Sequence, residues 1–401
     1  MSNMTNEELL QKAAITTDAL ASAGKLNPAQ SAKFLDYVVE EAKLKSIARV
    51  ERMSKGEAWE IDKIGVGRRV AVPASEAQDP KIRRGVTTSK VTVVPKEIMV
   101  PFELGDQFKQ VNIEGDDVED VIVRMMARQA ANDLEELFLN GNTLGAAVLE
   151  SEYMDGGSDT HYRKDSYLAL YDGFLRLADA GGSVDAAGAN VAAAIFGQAM
   201  RQMPTKFRRN RQNLRWLMPS DILELWQEKI AARATGAGDA ALTGFDGMPK
   251  IFGVPAVDVP LMPFESRVVE HVTLNGTTAV NLRYAPVKDV VVTPSTLGVV
   301  PTAAYISATD YTVSLANGTI VRIGGGAITD GQVVKVTYTA RPQILLTALQ
   351  NLIIVLAKEI TIEKDRDIFR GVNQYAIRMT AGVGIEEDTA LVKVKNLGTS
   401  V

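Results

Sequence analysis

The sequence predicts an α+β fold with an all-β module inserted into a mixed body, and three observations carry that prediction. Apolar residues between positions 118 and 138 recur at spacings of three and four, the pattern of one long helix with a buried stripe. At 59–62 and 98–104 the period drops to two, as in strands with one buried face. Residues 266–341 lack any run of helix formers and carry Asn275-Gly276, Asn317-Gly318 and Asp330-Gly331 turns between alternating segments.

At 401 residues and 46% hydrophobic content the chain can hold two or three domains around real cores. Its 44 basic and 49 acidic residues give a net charge of −5, so no global basic field draws it to nucleic acid or to an anionic membrane. It has no cysteine, which excludes disulfides, thiolate metal sites and cysteine nucleophiles, and agrees with a reducing cytoplasm. The opening MSNMTNEELLQ lacks a basic stretch followed by an apolar one, so no secretory leader is expected there. The most apolar run, 344–357, includes Thr347, Gln350 and Asn351, and it is too short and polar to span a bilayer. It reads as a buried core segment.

Residues 1–55 read as a polar helical arm. Asn27, Pro28 and Gln30 form a helix start, and Phe34, Leu35, Val38 and Ala42 then make one narrow apolar stripe opposite Lys33, Asp36, Glu40 and Lys43. A stripe this narrow is covered by one surface, either the chain's own body or a partner's. Residues 56–104 read as an extended basic β-hairpin whose middle, VGRRVAVPASEAQDPKIRRGVTTSK, is rich in charge and turn residues. Arms of about 20 residues would reach roughly 66 Å, against a radius of gyration of about 21 Å for a compact body of this length. Such a hairpin would overshoot its own subunit; several short strands in an ordinary subdomain fit the periodicity equally well.

The helix at 116–140 is expected to start on Asp116 with Glu119 completing a capping box. It buries Val118, Val121, Ile122, Met125, Ala130, Leu134, Leu137 and Phe138, and stops on a left-handed Gly141. Residues 185–260 read as α/β: an Ala-rich helix at 191–203, a strand at 214–218, and a helix at 222–232 opened by Pro219, Ser220 and Asp221. A Gly-rich loop and the strand carrying GVPAVDVP follow. The chain closes with strands at 352–356, 360–363, 375–380 and 390–394.

Catalytic chemistry finds few parts. His161 and His271 are the only histidines and lie in different modules, too few for a zinc site or a Ser-His-Asp arrangement. GVGRRV (65–70) and GGGAITDG (324–331) miss the GxGxxG spacing and read as turns. The acidic clusters are Asp116, Asp117, Glu119 and Asp120; Glu363, Asp365 and Asp367; and Glu386, Glu387 and Asp388. The first is accounted for by a helix N-terminus, which favours negative charge. The basic run Lys206, Arg208, Arg209, Arg211, Arg215 has only Phe207 and Trp216 beside it, which fits a solvated or inter-subunit face better than a nucleic-acid groove. The sequence therefore predicts no enzyme, no catalytic residues, no cofactor and no metal.

FLDYVVEEAKLKSIARVERM followed by EIDKIGVGRRV resembles the arm and hairpin of tailed-bacteriophage major capsid proteins. LMPSDILELWQ and GMPKIFGVPAVDVPLMP resemble that family's axial-domain helix and strand, and EKDRD with YAIRMTAGVGIEEDTALVKVK resembles its closing strands. The resemblance covers most of the chain outside the β block. It implies the Hong Kong 97-type fold, with an N-terminal arm (1–55) and an extended loop (56–104). It further implies a peripheral domain (105–184 and 358–401, spine helix 116–140) and an axial domain (185–265 and 342–357). The β module at 266–341 is additional to the minimal fold.

The function so implied is a structural major capsid protein that forms pentamers and hexamers of itself in an icosahedral shell around double-stranded DNA. A separate scaffolding protein, a portal and a decoration protein are the expected partners, DNA contact is non-specific, and no membrane is involved. The implied place is the virion, with assembly in the host cytoplasm. Two other readings stay open: a protein compartment of the same fold, similar to an encapsulin, and a virion surface protein whose β module binds receptor or glycan. For inter-subunit contact the candidates are Arg68, Arg69, Lys81, Arg83 and Arg84 on the hairpin, and Phe34 and Val38 on the arm.

Overall fold

A computed structural model describes residues 14–15, 44–52, 58–65, 87–105, 118–145, 148–149, 167–232, 249–295 and 303–399. In chain order the first elements are β1 (Ala14–Ile15), α1 (Leu44–Ile47), β2 (Arg49–Arg52), β3 (Trp59–Gly65), β4 (Thr87–Val93), β5 (Lys96–Gly105) and α2 (Val118–Asn140). There follow β6 (Val148–Leu149), α3 (Phe174–Leu177), β7 (Gly182–Asp185), α4 (Ala193–Gln202), α5 (Thr205–Arg208), β8 (Leu214–Met218), α6 (Ser220–Ala231), β9 (Lys250–Ile251) and β10 (Val254–Asp258). The remainder is strand: β11 (Arg267–Leu274), β12 (Val280–Asn281), β13 (Val287–Pro294), β14 (Tyr311–Ser314), β15 (Thr319–Arg322), β16 (Gln332–Ala340), β17 (Ile344–Ala348), β18 (Leu352–Asp367), β19 (Val372–Ile385) and β20 (Leu391–Lys395). The fold is mixed, with more strand than helix.

Helix α2 is the strut of the first core. Ala130, Leu134, Leu137 and Phe138 are buried, and Ile122 and Met125 half-buried, as the spacing predicts. They pack on the inward residues of a five-stranded sheet ordered β1-β5-β19-β18-β2, among them Ile98, Phe102, Leu104, Tyr375, Ile377 and Met379. In β5 the burial alternates as expected, and the Phe102 and Tyr375 rings stack with centroids 4.9 Å apart. Gly141 does end the helix, but not through a left-handed turn: its φ is not positive. Its amide still donates to the Leu137 carbonyl at 3.1 Å, and a Cβ there would lie 2.4 Å from the Tyr171 carbonyl oxygen. Close approach of the backbone, not handedness, requires the glycine.

A six-stranded sheet, β7-β20-β17-β8-β10-β9, forms the second layer. One face gives Leu217, Val257, Leu345 and Leu391 to the α2 core, and the other gives Trp216, Met218, Ile344, Leu346 and Val392 to α4 and α6. Burial on both faces is why β8 and β17 are apolar at nearly every position, Arg215 and Thr347 excepted. Strands β8 and β10 are parallel with α6 as the crossover, and Phe196 meets Trp216 and Trp226 edge-on at 5.2 and 5.0 Å.

Sheet membership divides the chain differently from the expected boundaries. The apolar run at 344–357 is not one segment: β17 lies in the six-stranded sheet, and β18 crosses to the five-stranded one beside β19. Gln350, at φ +66, turns the chain between them. β18 itself is continuous where two short strands were expected, with register shifts between Leu356 and Thr361. β20, expected with the other closing strands, pairs with β17 and β7 instead. The arm also departs from a helix: β2 pairs parallel with β18 through Arg49↔Ile353 to Arg52↔Leu356. The expected hairpin at 56–104 ends at Val93, because β5 leaves it to pair with β19.

Residues 267–340, joined at one edge by β6 (Val148–Leu149) on β11, build a four-stranded sheet (β13-β16-β11-β6) and a three-stranded one (β12-β15-β14) around a core of their own, including Val272, Leu274, Ile320, Val334 and Tyr338. Gly276, Gly318 and Gly331 have φ of +55, +59 and +73, while Asn275, Asn317 and Asp330 do not adopt positive φ. The three glycines supply the left-handed residue, so these are not two-residue type I′ turns. The same freedom serves Gly325, at φ +94, within the GGGAITDG turn.

Candidate functional site

The candidate site is the root of the hairpin. β3 and β4 pair antiparallel from Trp59↔Val93 to Gly65↔Thr87. Trp59, Ile61, Val91 and Val93 point to one side and close over Ile353 and Val355 in a small cluster of their own. Their neighbours Glu60 and Lys90 form an ion pair on the other side. A two-stranded ribbon with so small an apolar face is marginal by itself. Its position therefore depends on how it is seated.

Two glycines of β19 make the seat. A Cβ on Gly384 would lie 2.5 Å from Val93 Cγ2, and one on Gly382 would lie 2.9 Å from the Pro95 Cα. The hairpin therefore leaves the body flush against β19 backbone.

Charges fix it from the side. Arg49 on β2 bonds Glu386 at 3.0 Å and Glu51 at 2.9 Å, and its guanidinium stands 5.8 Å from the Trp59 ring. Glu387 accepts from the Thr389 hydroxyl and lies 3.7 Å from Lys206. Its carboxyl is held below the ordinary value, first by that hydroxyl and then by the positive charges of Lys206 and Lys63, while burial opposes. End of arm, hairpin, basic run and the 386–388 acidic cluster thus meet at one corner. The end of the arm is further tied to α2, since the Leu44 amide donates to the buried Glu135 carboxylate at 2.9 Å.

The other chemistry-bearing residues take structural places. Glu363 pairs with Arg378 at 3.3 Å, and Asp367 accepts from the amides of Phe369 and Arg370. Arg211 donates to the Phe252 carbonyl at 2.9 Å and Arg215 to that of Leu214 at 2.8 Å, while Lys206 stands 4.5 Å from the Phe207 ring. His271 Nδ1 is 2.8 Å from Ser295 Oγ. Among the described residues no group of three or more His, Asp or Glu is placed to hold a metal, and no helix is long and apolar enough to cross a membrane.

Of the residues expected at subunit contacts, Arg68, Arg69, Lys81, Arg83, Arg84, Phe34 and Val38 all lie outside the described residues, as do Asp116, Asp117 and His161. The hairpin root itself rests on residues that sequence reading gave no role: Arg49, Val93, Gly382 and Gly384. The Gly-x-Gly spacing within AGVGIEED was the available signal, since alternate glycines in a strand mark a face where another backbone approaches.

No protein-family model matches the chain. YqbE of Bacillus subtilis (strain 168), whose name assigns it to a prophage capsid, is 33% identical over 254 residues, covering 63% of this chain and 75% of the relative. Solved structures with similar folds include the capsid of a native GTA particle (13% identity, TM-score 0.48, 93% of this chain and 100% of that one). The procapsid of satellite phage P4 is similar at 12% identity and TM-score 0.48 (99% and 100%). The SrpI encapsulin of Synechococcus elongatus PCC 7942 is similar at 8% and 0.48 (100% and 98%). At these scores the structures do not discriminate among shells, and the weight rests on the sequence relative. The chain belongs to the family of phage capsid proteins.

Proposed function

We propose that this capsid protein is the structural subunit of an icosahedral shell of the Hong Kong 97 type, assembling with itself as pentamers and hexamers around double-stranded DNA. The observation that supports this most is the rooted hairpin. A ribbon too small to stabilise itself is anchored at β19 and leads into 66–86, a segment with five basic side chains at Arg68, Arg69, Lys81, Arg83 and Arg84. On this reading the ribbon lies on a neighbouring subunit, and the arm's Phe34 and Val38 do the same.

The five-stranded sheet with α2 serves as the peripheral domain, the six-stranded sheet as the axial domain, and residues 266–341 as an inserted outer module. A separate scaffolding protein, a portal and a decoration protein are the partners this reading requires. The protein works in the virion after assembly in the host cytoplasm.

Negative-stain microscopy tests it, on purified protein alone and mixed with lysate from cells expressing candidate scaffold genes. Closed shells, tubes or six-fold capsomers are the expected result. Small separate particles in both samples would overturn the reading.

A further inference from the structure

Two linkers join the β module to the body: 259–266 between β10 and β11, and 341–343 between β16 and β17. They leave the module side by side, since β11 and β16 pair from Arg267↔Thr339 and the Ala340 amide donates to the Ser266 carbonyl at 2.9 Å. Among the described residues the apolar core of the module is separate from both cores of the body. Its angle to the body is therefore left to polar contacts around the linkers.

The segment that follows β20 reaches both linkers. It is itself fixed to the body. Leu397 is buried in the core beneath α4, the Gly398 amide donates to the Ala189 carbonyl at 2.9 Å, and a Cβ on Gly398 would lie 2.4 Å from the Gly188 carbonyl oxygen. From this anchorage the Thr399 hydroxyl donates to the Glu265 carboxylate of the first linker. The Leu397 carbonyl accepts from Arg341 Nη1 of the second at 3.4 Å.

Each linker residue held in this way also grips the module. Glu265 pairs with Lys288 of β13, and the Arg341 amide donates to the Pro286 carbonyl at 3.0 Å. One carboxylate thus joins body to module, and one arginine does the same. Glu265 takes φ +43, a left-handed conformation that a side-chain-bearing residue keeps only where its surroundings hold it.

We infer that residues 397–399 are a strap that sets the angle of the β module on the body, with Glu265 and Arg341 as the positioning residues it holds. Release of the strap frees the module to turn about its two linkers while every core stays folded. The strap acts within one chain, so the inference goes beyond the shell reading and stands whether or not copies assemble.

The absence of cysteine from the chain lets spin labels be placed at will. Asp221→Cys on α6 and Ile306→Cys in the module are both at exposed positions, and labels there report the angle as a distance distribution by double electron-electron resonance. The labelled chain should give one narrow distribution. Thr399→Val with Arg341→Met removes both grips and should widen it at least twofold with unchanged circular dichroism, whereas Thr399→Ser, which keeps the hydroxyl, should not. Thr329→Val is the control, since it removes only a contact inside the module, Thr329 Oγ1 to Gln332 Oε1 at 3.2 Å. A distribution no wider in the double variant overturns the inference, as does equal widening in the control or a broad distribution before any substitution of the strap. If the double variant fails to fold, Thr399→Val alone decides by the same criterion.

Discussion

Val93 occupies the space a side chain at Gly384 would need: a Cβ there would stand 2.5 Å from Val93 Cγ2. Both residues are inside strands, so neither can move without disturbing a ladder. Gly384→Ala should destabilise the protein by about 1 to 3 kcal/mol through overpacking. It should also tilt the hairpin and lower shell yield. Val93→Ala in the same chain should return much of both, a coupling that a double-mutant cycle measures by urea unfolding. Additive effects would mean that the contact does not set the root.

Glu387 makes the hairpin root sensitive to acid. Because its folded carboxyl lies below the ordinary value of 4.5, it contributes stability that is fully present at neutral pH. That contribution is lost as pH falls below 4.5 through the folded value. Glu387→Gln removes the titration, so wild type should exceed the variant in unfolding free energy at pH 7 and converge on it as pH falls below 4.5 through the lowered folded value. A constant gap across that range would assign the difference to something other than this carboxyl.

Charge in the segment 66–86 that joins β3 to β4 in sequence should matter to assembly and not to folding. Arg83→Glu with Arg84→Glu should leave thermal unfolding within about 0.5 kcal/mol of wild type, as for substitutions that break no packing, cap or buried pair. Shell yield should drop severalfold, because a shell repeats each weak ion pair at every contact. Sedimentation of assembly mixtures reads the outcome, and unchanged shell yield would remove the hairpin arginines from the interface.

Inside the β module, Glu270 is fully buried and accepts from the Arg283 amide at 3.0 Å and from the Tyr338 hydroxyl. Burial, and then the Glu270 charge, push the Tyr338 hydroxyl well above its ordinary value, so it stays protonated as a donor. Glu270→Ala should cost about 2 to 4 kcal/mol by leaving those donors without an acceptor. Tyr338→Phe should cost about 1 kcal/mol. Calorimetry would show whether the loss falls on residues 266–341 alone, by a new low-temperature transition.

Deleting residues 266–341 should leave assembly intact if the module is an insertion, because its core shares no buried residue with the two cores of the body. Microscopy of the deletion variant checks this. A chain that no longer folds would show that the module completes the body.

Much of the fold was legible because local signals agreed with burial. The strand at 214–218 was readable to the residue, bounded by Asn213 and Pro219 and buried on both faces. Helix α2 declared itself by spacing over 23 residues. What misled was any signal with two physical causes. A glycine after a helix fits a left-handed cap or a close approach, and Gly141 serves the second. The charged run Arg49–Arg52 has no strand preference of its own, and only the free edge of β18 makes it one.

By itself the sequence determined which residues seek water and which do not, and hence the elements, their periods, the lack of cysteine chemistry and the kinship to capsid proteins. These are local or compositional properties, set by spacing and side-chain type. The tertiary structure alone decided that the run at 344–357 is shared between two sheets. It also decided that β20 joins the six-stranded sheet, and that Arg49, Val93, Gly384 and Glu387 converge at the hairpin root. Those outcomes depend on which distant strand edge is free to pair and how closely two backbones can approach, and neither is encoded at any one position.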